Sequence, residues 1–144
     1  MTALAILIVV SFVGLYIYYP DAPAGFQEIV KVRADAMVAV QSGNKEEAIR
    51  QLRLLDLLTR KVQVGVFLRT MKWDPRIAAL TEDYREQLES IRDALLADDQ
   101  VLARKLGFQA EAGYRAFKAA FLEGVVDPGA NPPSSAMPTP VGEG

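Results

Sequence analysis

The sequence predicts an all-α chain: an N-terminal single transmembrane helix, an up-down-up-down antiparallel four-helix bundle and a Pro-rich extended tail. Three observations predict this. No charged side chain precedes Asp21, and Ala3 to Tyr19 is almost wholly apolar. From Phe26 to Gly124, apolar residues recur at the alternating spacings of three and four that place them on one face of a helix. These runs are broken at Ser42-Gly43-Asn44, Trp73-Asp74-Pro75 and Asp98-Asp99. Finally, five of the eight prolines fall between Val125 and Gly144.

Residues 1–19 are expected to anchor the chain in a lipid bilayer. As one helix they reach roughly 28 Å, close to the hydrocarbon thickness of a membrane. Leu4, Ile6, Leu7, Ile8, Val9, Phe12 and Leu15 are the lipid-facing candidates. Tyr16, Tyr18 and Tyr19 suit the membrane–water interface, where a ring is apolar at one end and wet at the other. A cleaved signal is the competing reading, and a buried core helix is another. A signal calls for a basic start, a shorter apolar core and a small-x-small cleavage box. Here no Lys or Arg precedes the run, and the box-like Ala22-Pro23-Ala24 carries a proline. The acidic residues Asp21 and Glu28 lead the basic Lys31 and Arg33, which inclines the expectation toward a periplasmic or other extracytoplasmic domain. The cytoplasmic face is the alternative.

Residues 20–25 read as a stiff linker, because Pro20, Pro23 and Gly25 interrupt a helix. The bundle is expected over 26–124. Its first helix runs from Phe26 to Gln41, with Phe26, Val30, Arg33, Met37 and Val40 on one face and Ile29 and Ala36 widening it. Gly43 offers the left-handed stop, and Asn44 with Glu47 resembles a capping box. The second helix runs from Lys45 to Met71. Ala48, Leu52, Leu55, Val62 and Val66 make its seam. Leu54, Leu57, Leu58, Val64, Phe67 and Leu68 add apolar surface beyond what one face needs. That surplus means either a central position or a contact with another chain through Leu54, Val64 and Phe67. Gly65 is expected to allow close packing.

Asp74 and Pro75 form the clearest boundary, a good N-cap followed by proline at the first helical position. Trp73 just before them is expected to staple onto the helix, or else to meet headgroups or a partner. The third helix, Pro75 to Ala97, carries Ile77, Leu80, Tyr84, Leu88, Ile91 and Leu95 inward. Its other face holds Glu82, Glu86 and Glu89 interleaved with Arg85 and Arg92, a solvated face with local ion pairs rather than a metal site. The fourth helix runs from Gln100 to Glu123. Leu102, Leu106, Ala110, Gly113, Phe117 and Phe121 point one way, and Phe108 and Tyr114 widen that face. Residues 125–144 are expected to be flexible alone and to serve as a docking strap, with Pro132 and Pro133 as contacts.

Composition narrows the chemistry. The 144 residues carry a net charge of −2, with no histidine and no cysteine. No basic excess exists to hold nucleic acid. The commonest general base and metal ligand is missing, as are thiolates and disulfides. Ser11, Ser42, Ser90, Ser134 and Ser135 have no imidazole to activate them. No phosphate-binding glycine loop and no hydrolase or metalloprotease motif is present. The expectation is a non-enzyme with no cofactor and no bound metal.

Two stretches carry a resemblance. Val32-Arg33-Ala34-Asp35-Ala36-Met37 and the span from Asp83-Tyr84-Arg85 to Phe117-Lys118 resemble the first helix and the last hairpin of the cytochrome c-prime and b-type bundle cytochromes. The resemblance covers about 95 residues in layout and implies an antiparallel bundle. It does not extend to haem: the stretch Gly107-Phe108-Gln109-Ala110-Glu111-Ala112-Gly113-Tyr114-Arg115 holds neither the histidine nor the cysteines of those families. Met37 is read as core packing.

The functional expectation is a single-pass accessory subunit that packs in and caps a larger membrane protein complex. A respiratory or photosynthetic complex is a natural host by association. The alternative is a tethered binding or sensing module with an apolar cavity beside Gly107, Gly113 and Phe117.

Overall fold

The computed structural model describes residues 2–125, and within them the side chains of residues 3–122. Five α-helices and no strands make up the described residues: α1 Thr2–Tyr18, α2 Ala22–Ser42, α3 Lys45–Thr70, α4 Pro75–Leu96 and α5 Gln100–Val125. Helix α2 packs on α3 and α4 on α5; α3–α4 and α2–α5 contacts join the two pairs around one core. The expected strap, with Pro132 and Pro133, lies outside the described residues.

The expected linker over 20–25 is shorter than the sequence suggests. Helix α2 starts at Ala22, capped by Asp21, whose Oδ1 accepts from Ala24 N at 3.1 Å. Pro23 falls in the first turn, where its missing N–H costs no helical bond. Gly25 is then an ordinary helical residue, placed where a Cβ would come 2.3 Å from Val62 Cγ2. Only Tyr19, Pro20 and Asp21 separate α1 from α2, and the two helices meet at a 45° bend.

The remaining boundaries follow local chemistry. Gly43, at φ 78°, ends α2, and Asn44 Oδ1 accepts from Glu47 N at 3.3 Å. The reciprocal half of the capping box is absent, because the Glu47 carboxylate turns to Arg50 and Gln51. Asp74 Oδ1 accepts from Arg76 N and Ile77 N, as Asp-Pro predicts. Asp99 Oδ1 accepts from Leu102 N and opens α5.

The core faces agree with the spacing on α3 and α4 and shift on the other two. On α2 the centre is Phe26, Ile29, Ala36 and Val40; Val30 faces out, and Arg33 and Met37 are half-buried. Alanine lets α2 and its neighbours approach closely, so small side chains hold the middle. On α5 the seam is Ala103, Ala110, Tyr114, Phe117 and Phe121. Phe108, expected to widen that face, is 69% exposed, and Leu102 also faces out. Phe117 is the hub: its ring lies 4.9 Å from Phe121, 5.3 Å from Phe26 and 5.4 Å from Tyr84, the last stacked at 17°. Each such pair adds about 0.5–1.5 kcal/mol beyond its area burial.

Candidate functional site

Helix α1 differs from every other element. Its large apolar side chains are 43–77% exposed on all faces, and nothing lies within 4 Å of a Cβ built on Gly14. Leu4, Ile6, Leu7, Ile8, Val9 and Phe12 touch no core. At 17 residues α1 reaches about 26 Å. Among the described residues no single helix is long and apolar enough to cross a membrane; α1 and α2 pass that test only as a bent pair.

The last turn of α1 is held to α3 by a specific device. Arg69 Nη1 donates to Pro20 O and to Gly65 O, both at 3.2 Å, and Nη2 donates to Tyr16 O at 3.3 Å. The guanidinium lies 4.4 Å from the Tyr16 ring centroid. Two turns back, Lys61 Nζ sits 4.1 Å from the Tyr18 ring centroid, and Tyr18 meets Tyr19 edge-on at 5.1 Å. The final carbonyls of a helix lack helical donors and carry partial negative charge, so a cation there satisfies both needs. Between the two cations, Gly65 leaves a notch: a Cβ there would stand 2.3 Å from Pro20 O. Lys61, Gly65 and Arg69 stand at i, i+4 and i+8, one line along α3. The cluster Tyr16, Tyr18 and Tyr19 stands out in the sequence; Lys61 and Arg69 do not, although their spacing around Gly65 is the signal that marks them.

The turn after Arg69 continues the same end. Met71 closes α3 in the left-handed region at φ 51°, its N–H donating to Phe67 O at 2.7 Å. Trp73 is 60% exposed and leans edge-on against Phe67 at 6.1 Å. It therefore lies outside the core cluster and presents its indole outward. Leu54, Val64 and Phe67 are at the exposed edge of α3, with Leu57 beside them. Leu52, Leu55, Leu58 and Val62 take the inner side, so α3 shows one face inward and leaves the other open.

Two other groupings of charged and polar side chains lie on α2–α5. A surface hollow of about 380 Å³ between α3 and α4 is lined by alternating acids and arginines. They neutralise one another: Arg85 reaches Asp56 and Glu82 at 2.6 Å, Arg60 reaches Asp56 at 3.4 Å, and Arg92 reaches Glu89 at 2.8 Å. Among the described residues no cluster of three or more potential metal ligands forms. Deeper, Arg33 pairs with Glu111 and lies 4.4 Å from the Tyr114 ring centroid. Around them Tyr84 OH, Tyr114 OH, Arg33 Nε and Gln87 Oε1 are buried without a protein hydrogen bond. Burial pushes the Tyr84 and Tyr114 hydroxyls up from the usual phenol range, against the pull of the Arg33 charge.

Met37 Sδ stands 3.5 Å and Val40 Cγ1 3.8 Å from a Cβ built on Gly107, and Gln87 closes over Gly113. No protein-family model matches the chain, and neither the curated proteins nor the solved structures contain a match to it.

Proposed function

We propose that the chain is a membrane-anchored, non-catalytic accessory subunit, with α1 in the bilayer and α2–α5 as an up-down-up-down bundle that caps a larger membrane complex. The observation that carries this reading is α1 itself, with large apolar side chains exposed around it up to its last turn, where Arg69 holds it to α3. Burying such a helix in lipid removes a large apolar area from water, at roughly 25 cal/mol per Å². Its length falls a few ångströms short of a typical hydrocarbon core, a mismatch that costs only fractions of a kcal/mol per ångström.

The open face of α3 supports the subunit half of the proposal. Leu54, Leu57, Val64 and Leu68 follow a 3–7–4 spacing, a narrow seam of the kind that receives another helix. Lys61 and Arg69 bring positive charge beside the last turn of α1. The charges that bias insertion are those within about 20 residues of a span, so the extracytoplasmic expectation still rests on Asp21, Glu28, Lys31 and Arg33.

The test is gentle detergent extraction of native membranes followed by sizing and identification of co-purifying chains. A stable larger assembly is expected. Recovery of a monomer without companions overturns the subunit role, and release by alkaline carbonate overturns the anchor.

A further inference from the structure

At the α1 end of the bundle, cations and carboxylates are used unequally. The two carboxylates at the helix starts there are occupied as caps, Asp21 on α2 and Asp74 on α4. Elsewhere arginines and lysines find carboxylates, as in Arg85–Asp56 and Lys45–Asp98. Among the described residues, Lys61 and Arg69 instead meet only rings and carbonyl oxygens, and the Lys72 ammonium meets no carboxylate. Glu28 shares a surface hollow with Lys61 but forms no ion pair with it. Among the described residues, no carboxylate offsets the charge of Lys61, Arg69 and Lys72.

The same end offers apolar surface at a matching depth. Met71 and Trp73 are 67% and 60% exposed, with Phe67 supporting the indole. Arg69 fixes their level. It touches Tyr16 O and Pro20 O, so the turn that follows it lies within one arginine side chain of the tyrosines that end α1. A tryptophan and a methionine beside Arg69 and Lys72, level with an aromatic helix end, match the chemistry of a bilayer's headgroup zone.

We propose that the turn joining α3 to α4 is a second membrane contact, in which Lys61, Arg69 and Lys72 take anionic phospholipid headgroups while Trp73 and Met71 enter the layer beneath. The inference rests on the anchored reading of α1. It adds that the bundle is pinned to the surface at two places rather than swinging from one.

Trp73 is the only tryptophan in the chain, so its fluorescence reports this contact alone. The full chain is reconstituted in phosphatidylcholine vesicles with and without phosphatidylglycerol. Expected are a blue-shifted emission, quenching by lipids labelled near the headgroup, and a gain of both with phosphatidylglycerol that salt reverses. Lys72→Gln, a change at an exposed site, lowers the ratio of docked to free turn about fivefold in the anionic vesicles. Emission that ignores lipid composition and stays open to aqueous quencher overturns the proposal. So does a blue shift seen only in native membranes, which assigns the turn to a protein. An alkaline carbonate wash separates the two readings. A retained chain with a water-exposed Trp73 ends this inference and spares the anchor. A released chain whose Trp73 still follows phosphatidylglycerol ends the anchor and keeps the headgroup contact.

Discussion

Arg69 hydrogen-bonds the carbonyl of Pro20 at 3.2 Å across 49 positions of sequence, and through that contact one side chain joins the end of α1 to α3. The donor is charged, and the acceptors Pro20 O and Tyr16 O have no helical partner to compete for them. Such bonds contribute about 1–3 kcal/mol in partly buried settings. Arg69→Ala is expected to free α1 while leaving the bundle's melting temperature nearly unchanged. The chain contains no cysteine, so spin labels at Leu4→Cys and Leu57→Cys report α1 motion cleanly. The distance distribution is expected to broaden in the variant, and an unchanged width would show that Arg69 does not hold the joint.

Two glycines give opposite expectations. Gly65→Ala brings a Cβ to 2.3 Å from Pro20 O, a backbone atom that cannot swing away. Overpacking of that kind costs about 1–3 kcal/mol. Gly113→Ala meets only the far end of Gln87, which can turn aside, and alanine favours a helix by about 1 kcal/mol over glycine. Denaturant unfolding should therefore show the first variant less stable and the second equal or more stable.

Tyr84 is 1% exposed and its hydroxyl has no protein hydrogen bond. Burial holds its proton more firmly in the folded chain than in the unfolded one, where it leaves near pH 10. The unfolded chain thus binds fewer protons above that pH, so stability is complete below pH 10 and falls as the pH rises beyond it. Tyr84→Phe is expected to flatten the alkaline loss and to gain about 1 kcal/mol at neutral pH, because an unsatisfied buried hydroxyl is removed. A pH series of thermal melts of both proteins makes the comparison.

Met71 holds a left-handed backbone without being glycine. The close approach of its Cβ to the following carbonyl costs about 1–2 kcal/mol. Met71→Gly is expected to raise bundle stability by about 1 kcal/mol in detergent, measured by thermal melting. Under the headgroup proposal the same change weakens the response of Trp73 to vesicles, so fold and function would move in opposite directions.

Much of the helical layout was legible from residue chemistry close at hand. Asp74-Pro75 and Gly43 set their boundaries through backbone rules that act within a turn, and Tyr84, Leu88, Ile91 and Leu95 lie inward as their spacing says. Pro23 misled because proline breaks a helix interior and suits its first turn, and only the Asp21 cap shows which applies. Phe108 misled because hydropathy favours burial of any ring, whereas Ala103 and Ala110 fit the close helix contact better. At the candidate site the tyrosines and the α3 edge could be picked out. Lys61 and Arg69 could not, since their partners lie far along the chain and each looks like an ordinary solvated cation. The Arg33–Glu111 pair was hidden for the same reason.

The 45° bend between α1 and α2 turns α2 away from the axis of α1. If α1 stands upright in a bilayer, the 21 residues of α2 climb only about 22 Å rather than their full 32 Å. The protein then crouches, its flank and its tip inclined equally to the lipid plane. Under the subunit proposal, a companion that meets this flank projects little above the headgroups.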